Sequence, residues 1–512
     1  MPLRRNVIAN YIGQIYTVLA GVVMLPFYLE FLGAEAYGLI GFFTLLHAWL
    51  ALLTSGVSPT LARQVAHHQG MGELGGRKFR EVLRSIELIV LGLAVVTALL
   101  VWLLSSWLSS QWLTVKTLPL NDVAYCITLM GMMIGMRWGV SLYASGLSGM
   151  ERQVWLNGFN VLFATLRFGA AYLLLRWVTH DPVHYFEFQL VVSVLELAAV
   201  ANKFYGCQPA QGRESDPGLA FCWPALRELL PFAMGIAYTS MLWVLMTQSD
   251  KLVLSHVLTL VEYGYFALVV LIANGVLQFS APINQAVLPR LTMLLSQENE
   301  AAMLTLYRKT TQFTTVAVFS VTGVLALFSQ PLLFALTGNQ DAARWGSPVL
   351  TWFALGNGIL VIVGMQYILQ YAHGKVRMHV INTTINAAIQ VPILIYVALN
   401  YGAVEVAIAW FAIRLATFFI WPAVVHHKFA PGLHWTWLGN DVLLPLFGAT
   451  LGLGMAQWLV VSMPEWMVSR FQIFLFLSAL GLFVLLTSAA FASDARAMLA
   501  KAAAGFRNVP HG

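Results

Sequence analysis

Gly149-Met150-Glu151-Arg152, with Asn157 five residues past the arginine, returns 225 residues later as Gly374-Lys375-Val376-Arg377, with Asn382 at the same spacing. A second pair stands at nearly the same offset: Tyr37-Gly38 followed by Arg63, and Tyr263-Gly264 followed by Arg290. Motifs that recur at one offset describe a chain assembled from two similar halves.

Composition sets the medium in which those halves fold. Of the 512 residues, 59% are hydrophobic and only 10% charged, and the mean hydropathy is +0.75. Soluble domains carry about 25% charged residues. This much apolar surface has no place in a water-facing globule, so the chain belongs in a bilayer. At about 20 apolar residues per span there is room for roughly fourteen. The net charge of +6 is therefore a matter of loop position and does not indicate a nucleic-acid partner. Cys126, Cys207 and Cys222 are an odd count without CxxC spacing, which gives neither a disulfide framework nor a zinc site. Arg4 and Arg5 precede an apolar run as in a signal peptide. That run holds Asn10, Gln14 and Pro26 and lacks a small-residue cleavage site, so it reads as a retained first helix.

Apolar segments fall near 7–32, 39–60, 85–108, 122–146, 154–177, 186–203, 229–252, 260–288, 311–336, 347–372, 379–400, 403–425, 441–462 and 470–492. They predict an all-α integral membrane protein of fourteen transmembrane helices, arranged as two parallel-repeat six-helix lobes plus two C-terminal helices. The expected divisions are an N-terminal lobe 1–205, a linker 206–228 rich in proline and polar residues, a C-terminal lobe 229–428, and helices 13 and 14 with a tail over 429–512. With Arg4 and Arg5 inside, about twenty of the 28 basic residues fall on the cytoplasmic side, the expected bias for short loops. Both termini are then cytoplasmic. Both glycine-arginine motifs occupy the turn between the fourth and fifth helices of a half, where glycine permits a tight reversal and arginine anchors at the interface.

No loop is long enough for an extramembrane catalytic domain, and phosphate-loop, zincin, nucleophile-elbow and dinucleotide motifs are all absent from the sequence. No enzyme and no cofactor is expected. His67-His68 and His426-His427 read as loop histidines beside basic residues.

Polar residues inside the spans mark the candidate site. Asn6, Asn10, Gln14, Thr17 and Gly21 share one face of the first helix, and Thr44, His47, Thr54 and Ser58 one face of the second. Ser240, Trp243 and Thr247 do so in the seventh helix, and Asn274, Gln278, Pro282 and Gln285 in the eighth. The repeat pairs these four helices, so their stripes are expected to line a wet central cavity. Arg137, Arg167 and Arg414 lie near mid-span, where each costs about 2.5–3.5 kcal/mol and must face protein or water. Glu196 neutralises one of the first two, and the surplus buried positive charge suits an anionic passenger. The alternative is that the arginines are scaffolding within their lobes. Asp250-Lys251 reads as a self-neutralising pair, or as a gate or ion-coupling site together with Glu196.

With these residues in view the chain resembles polysaccharide (O-antigen) flippases of the multidrug/oligosaccharidyl-lipid/polysaccharide exporter superfamily. The resemblance is carried by Asn10-Tyr11, Leu25-Pro26-Phe27-Tyr28, Leu32-Gly33, Tyr37-Gly38-Leu39, Ser249-Asp250-Lys251, Gly264-Tyr265 and Leu288-Pro289-Arg290, and it extends over about residues 5–430. It implies a bacterial inner-membrane protein that turns a polyprenyl-pyrophosphate-linked oligosaccharide between leaflets by alternating access, driven by a proton or sodium gradient. A cationic cavity would hold the pyrophosphate, and a greasy groove near helices 13 and 14 would hold the lipid tail. It further implies membrane lipids, a polysaccharide polymerase and chain-length machinery as partners. Lipid-linked peptidoglycan-precursor flippases carry a charged arginine–aspartate motif in helix 1, whereas this helix holds only uncharged polar groups before Glu30. The competing readings are a small-molecule exporter of the same superfamily and a membrane glycan polymerase or ligase.

Overall fold

The computed structural model describes residues 2–70, 76–208, 221–461, 469–494 and 496. Among these it is a bundle of long helices, and its β-structure is one isolated bridge between Thr114 and Thr259. The order is α1 (Pro2–Leu50), α2 (Val57–Gly70), α3 (Arg77–Trp107), α4 (Leu120–Gly149), α5 (Gln153–Ala164), α6 (Ala171–Trp177), α7 (Pro182–Gly206), α8 (Trp223–Arg227), α9 (Leu230–Val257) and α10 (Leu260–Gly275). Then follow α11 (Ser280–Ser296), α12 (Glu300–Leu327), α13 (Ser329–Thr337), α14 (Gln340–Ala372), α15 (Arg377–Asn400), α16 (Ala403–Phe429), α17 (His434–Thr436), α18 (Leu444–Val461) and α19 (Arg470–Phe491).

Among the described residues, 13 helical stretches are long and apolar enough to cross a membrane. The first lies in α1, which Gly33 divides: at φ 80° and ψ 168° it leaves the helical region and separates two arms. That backbone state is essentially confined to glycine. Counted by arms, the bundle has the fourteen helices that the hydropathy predicts. The expected ninth segment, 311–336, is two helices instead: α12 begins at Glu300, capped by the Asn299 side chain, and breaks at Phe328 before α13. Its polar first turns masked the start from a hydropathy reading.

The contacts divide the chain into two compact units, 1–264 and 265–512. In the first, α3, α4 and α7 pack side by side, α1 lies on α5 and α6, and α9 packs on α1, α2 and the turn 51–54. Close approach explains why α9 and the start of α10 belong with this unit. A Cβ on Gly56 would come within 2.3 Å of the Ala233 carbonyl oxygen, and one on Gly264 within 2.4 Å of the Ala34 carbonyl oxygen. In the second unit, α14 is the hub against α12, α13 and α16, while α18 and α19 pair with each other and against α12. Its apolar core includes Met303, Tyr307, Ile362, Met365, Leu369, Val425 and Trp437.

The two glycine-arginine turns join α4 to α5 and α14 to α15, one in each unit. Their glycines serve different ends. Gly374 takes the left-handed backbone at φ 66°, but in the first copy Glu151 takes it at φ 58°. Gly149 is instead needed for packing, since a Cβ there would meet the Ala62 carbonyl oxygen at 2.5 Å.

Candidate functional site

Four of the residues singled out by sequence meet inside the first unit: His47, Arg137, Arg167 and Glu196. The geometry begins with α5. At Thr165–Ala170 the helix widens into a π turn that runs on into α6. Such a turn takes backbone carbonyls out of the regular ladder, and they need other donors. Side chains supply them. The Tyr28 hydroxyl, from the first arm of α1, donates to the carbonyl oxygens of Phe168 at 2.9 Å and Arg167 at 3.2 Å. Gln189 Nε2, from α7, donates to the Arg167 carbonyl at 2.9 Å. Tyr16 and Thr165 share a hydroxyl hydrogen bond of 2.6 Å. The backbone that carries Arg167 is thus fixed from two neighbouring helices.

The Arg167 guanidinium forms an ion pair with Glu196, whose side chain is buried. Arg137, on α4, stacks its guanidinium over the Phe43 ring, 5.0 Å from the centroid. A cation over an aromatic face is stabilised by about 0.5–2 kcal/mol, which does not cancel its charge. Arg137 and Arg167 lie within electrostatic reach of each other, and both reach His47. Among the described residues Arg137 has no carboxylate partner, and the buried Nε atoms of both arginines have no acceptor. An unmet charged donor in a low-dielectric site costs about 1–3 kcal/mol. Glu196 thus pairs with Arg167, while Arg137 has an aromatic face and no carboxylate, and both arginines keep unmet donors.

The other sequence candidates lie elsewhere. Lys251 pairs with Asp250 at 3.3 Å and also donates to the Thr247 carbonyl; both charged residues are buried in α9 of the first unit. Arg414 belongs to the second unit, buried on α16 with its guanidinium 4.2 Å from the Trp410 ring centroid. Asn274 accepts from Asn357 Nδ2 at 3.4 Å, and that same nitrogen donates to the Ala273 carbonyl at 3.0 Å. Gln278 is exposed. The side chains of Asn10, Gln14 and Gln285 lie outside the described residues. Thr44 and Thr247 bond carbonyls of their own helices.

Sequence reasoning missed Tyr28, Phe43 and Gln189 as members of the cluster. A signal for Gln189 was present: Gln189, Ser193 and Glu196 repeat at helical spacing, and all three are buried. The π turn has no sequence signature. The reading of His426 as a loop residue needs correction. It lies inside α16, fully buried, with Nε2 2.9 Å from the Tyr307 hydroxyl and Nδ1 3.3 Å from His434 Nδ1. His67 and His68 are likewise helical, in α2. Beside His426, Arg308 of α12 holds Asp441 through two hydrogen bonds of 2.7 and 3.2 Å. The second unit also encloses a cavity of about 300 Å³ walled almost wholly by apolar side chains of α12, α14, α16 and α18, among them Phe319, Ile359, Phe418 and Leu446.

Comparison with solved structures gives the class first. "Lipid II flippase MurJ, inward closed conformation" superposes with a TM-score of 0.70 at 14% identity, over 94% of this chain and 97% of that one. An inward-facing multidrug resistance MATE family transporter of the MOP superfamily gives 0.62 at 13% identity, over 80% and 95%. A MOP superfamily transporter from Pyrococcus furiosus gives 0.53 at 13%, over 83% and 95%. The fold is that of the MOP superfamily of membrane transporters and flippases, not of an enzyme. Residues 3–295, more than half the chain, match the family described as "Polysaccharide biosynthesis protein", and the chain belongs to that family. No curated protein matches it in sequence.

Proposed function

We propose that this protein translocates a polyprenyl-pyrophosphate-linked oligosaccharide repeat unit across the bacterial inner membrane, for O-antigen or a related surface polysaccharide. The carrying observation is the cluster in which Arg167 pairs with the buried Glu196, Arg137 has no carboxylate partner among the described residues, and both arginines keep unmet Nε donors. Guanidinium groups match phosphate oxygens in geometry and hold their charge at any physiological pH. The fold shared with a lipid II flippase supports a lipid-linked passenger, and the apolar cavity of the second unit supports accommodation of isoprene units. Alternating access, cytoplasmic termini, coupling to a proton or sodium gradient, and hand-over to a polymerase and chain-length machinery belong to the same proposal.

The test is leaflet exchange in proteoliposomes. A fluorescent short-chain polyprenyl pyrophosphoryl glycan is incorporated, and the outer-leaflet fraction is bleached with an impermeant reductant. The expected result is protein-dependent exchange that the double substitution Arg137→Ala/Arg167→Ala suppresses. Exchange no faster than in protein-free vesicles, or indifferent to both arginines, overturns the proposal.

A further inference from the structure

The repeated pair Tyr37-Gly38 and Tyr263-Gly264 meets inside the first unit. A Cβ on Gly38 would come within 2.1 Å of the Leu260 carbonyl oxygen, and one on Gly264 within 2.4 Å of the Ala34 carbonyl oxygen. Each glycine therefore receives the carbonyl that stands four residues before the other glycine. The contact is reciprocal, as a two-fold axis between the copies requires. The second arm of α1 and the start of α10 cross here backbone on backbone, at the end of α4 away from the glycine-arginine turn.

The segment 112–118, between α3 and α4, straps this crossing. On one side it is anchored by Glu35, buried three residues before Gly38. The Glu35 carboxylate accepts the backbone N–H of Lys116, that of Thr117 at 2.9 Å and that of Leu118 at 3.1 Å, together with the Thr117 hydroxyl. Successive N–H groups converging on an anion form a nest, and each bond to it is charge-assisted. On the other side the strap catches the α9–α10 turn, which the repeat assigns to the second half. The Leu260 N–H donates to the Thr114 carbonyl at 2.9 Å, Trp112 Nε1 donates to Ser255 Oγ at 3.0 Å, and His256 Nδ1 lies 2.9 Å from the Trp112 carbonyl.

Anchor and catch are unequal. Charge-assisted hydrogen bonds are roughly twice as strong as neutral ones, so the catch parts before the anchor. Lys116 and Thr117 are exposed, and at such a site water replaces a released hydrogen bond. A crossing of two glycines also has no interlocked side chains to repack when it opens. The other end of α9 has no such strap among the described residues: Gly56 lies on the Ala233 carbonyl, and Arg63 lies over the Phe232 ring at 4.5 Å.

We infer that the Gly38–Gly264 crossing and its strap are a gate at this end of the first unit, with Glu35 as the fixed anchor and the contacts to Ser255, His256 and Leu260 as the catch that releases. The inference rests on the transport reading above and names the contacts that must break for a passenger to leave here. Gly38 and Gly264 are the hinge faces of the gate, which gives the repeated tyrosine-glycine pair its purpose.

The experiment locks the catch and, separately, measures it. On a full-length background with Cys126→Ala, Cys207→Ala and Cys222→Ala, the two bridge partners are replaced as Thr114→Cys/Thr259→Cys. Oxidation is expected to stop leaflet exchange in proteoliposomes and reductant to restore it, while oxidised Thr114→Cys alone keeps exchanging. Spin labels at Lys116→Cys/Val257→Cys then report the distance from strap to α9 with no passenger present. Gly264→Ala, which wedges the crossing, is expected to raise the ratio of the longer to the shorter distance about tenfold. Glu35→Ala, which frees the strap from its anchor, is expected to raise it likewise. Exchange at full rate through the oxidised pair overturns the inference and leaves the transport reading standing. Distances unmoved by both Gly264→Ala and Glu35→Ala also overturn it. Absence of exchange by the unaltered protein counts against the transport reading, and the spin-label distances then decide the gate.

Discussion

The first unit gathers Arg137, Arg167 and Glu196, and the second gathers Arg308, Asp441 and a run of hydrogen-bonded neutral side chains. Both clusters are polar and lie in a bundle of apolar helices, yet they are finished differently. In the second, the guanidinium of Arg308 engages both oxygens of Asp441. Gln312 donates to the Asn440 carbonyl and accepts from the Asp494 backbone, while Tyr307, His426 and His434 complete a chain of contacts. The network fastens the turn before α18 and the segment after α19 to α12. In the first, cations outnumber anions and the arginine Nε atoms face no acceptor. A protein tolerates an unfinished buried polar group chiefly where something else completes it. One cluster holds helices together, and under the proposed function the other receives a ligand.

The largest expected effect breaks that comparison directly. Arg137→Ala/Arg167→Ala removes two charged hydrogen-bonding partners worth about 1.5–3 kcal/mol each. We expect headgroup transport to fall by about 100-fold or more, measured as leaflet exchange; Arg137→Ala alone, which leaves no carboxylate unpaired, changes thermal unfolding in micelles little, whereas the double variant also loses stability through the unpaired Glu196. Removing Arg308 inverts the pattern. Arg308→Ala leaves Asp441 buried and unpaired, at a cost of about 2 kcal/mol after allowance for the partial exposure of Arg308. Unfolding temperature falls while exchange per folded molecule is kept. Equal damage to transport from both substitutions would erase the distinction between the clusters.

Two smaller effects sharpen it. Gly33→Ala places a Cβ in open space but forces an unfavourable backbone state, so it costs about 1–2 kcal/mol through strain and not through a clash. Its readout is unfolding temperature, compared with Gly70→Ala, which also meets open space without a left-handed backbone. Tyr28→Phe removes one donor from the π turn, about 1 kcal/mol. If that turn positions Arg167, headgroup affinity drops by about fivefold with stability nearly unchanged; unaltered affinity would make Tyr28 a packing residue only.

Much of this architecture is written locally. Long apolar runs mark the helices, and the recurring glycine-arginine turn marks their repetition. Mid-span charges also announce themselves, because a bilayer makes each of them costly. By hydropathy Glu196 is the one mid-span acid of the first half, which is why its pairing with an arginine was legible before the structure. The finishing details were not. Arg308 and Asp441 are 133 residues apart, and nothing in either neighbourhood names the other. His426 sits beside His427 and Lys428, so its sequence surroundings look like loop while its side chain is buried by Tyr307 and Trp437. The π turn after α5 is met by side chains from α1 and α7, which the residues Thr165 to Ala170 do not announce. In the first glycine-arginine turn the left-handed residue is Glu151, while Gly149 packs against α2.

The central claim is that the first unit's arginines receive the passenger's phosphates. The most direct measurement is a cryo-electron microscopy structure of the protein with a farnesyl pyrophosphoryl monosaccharide bound. The proposed function predicts phosphate density within hydrogen-bonding distance of the Arg137 and Arg167 guanidinium groups. Density at Arg414 or elsewhere would contradict it.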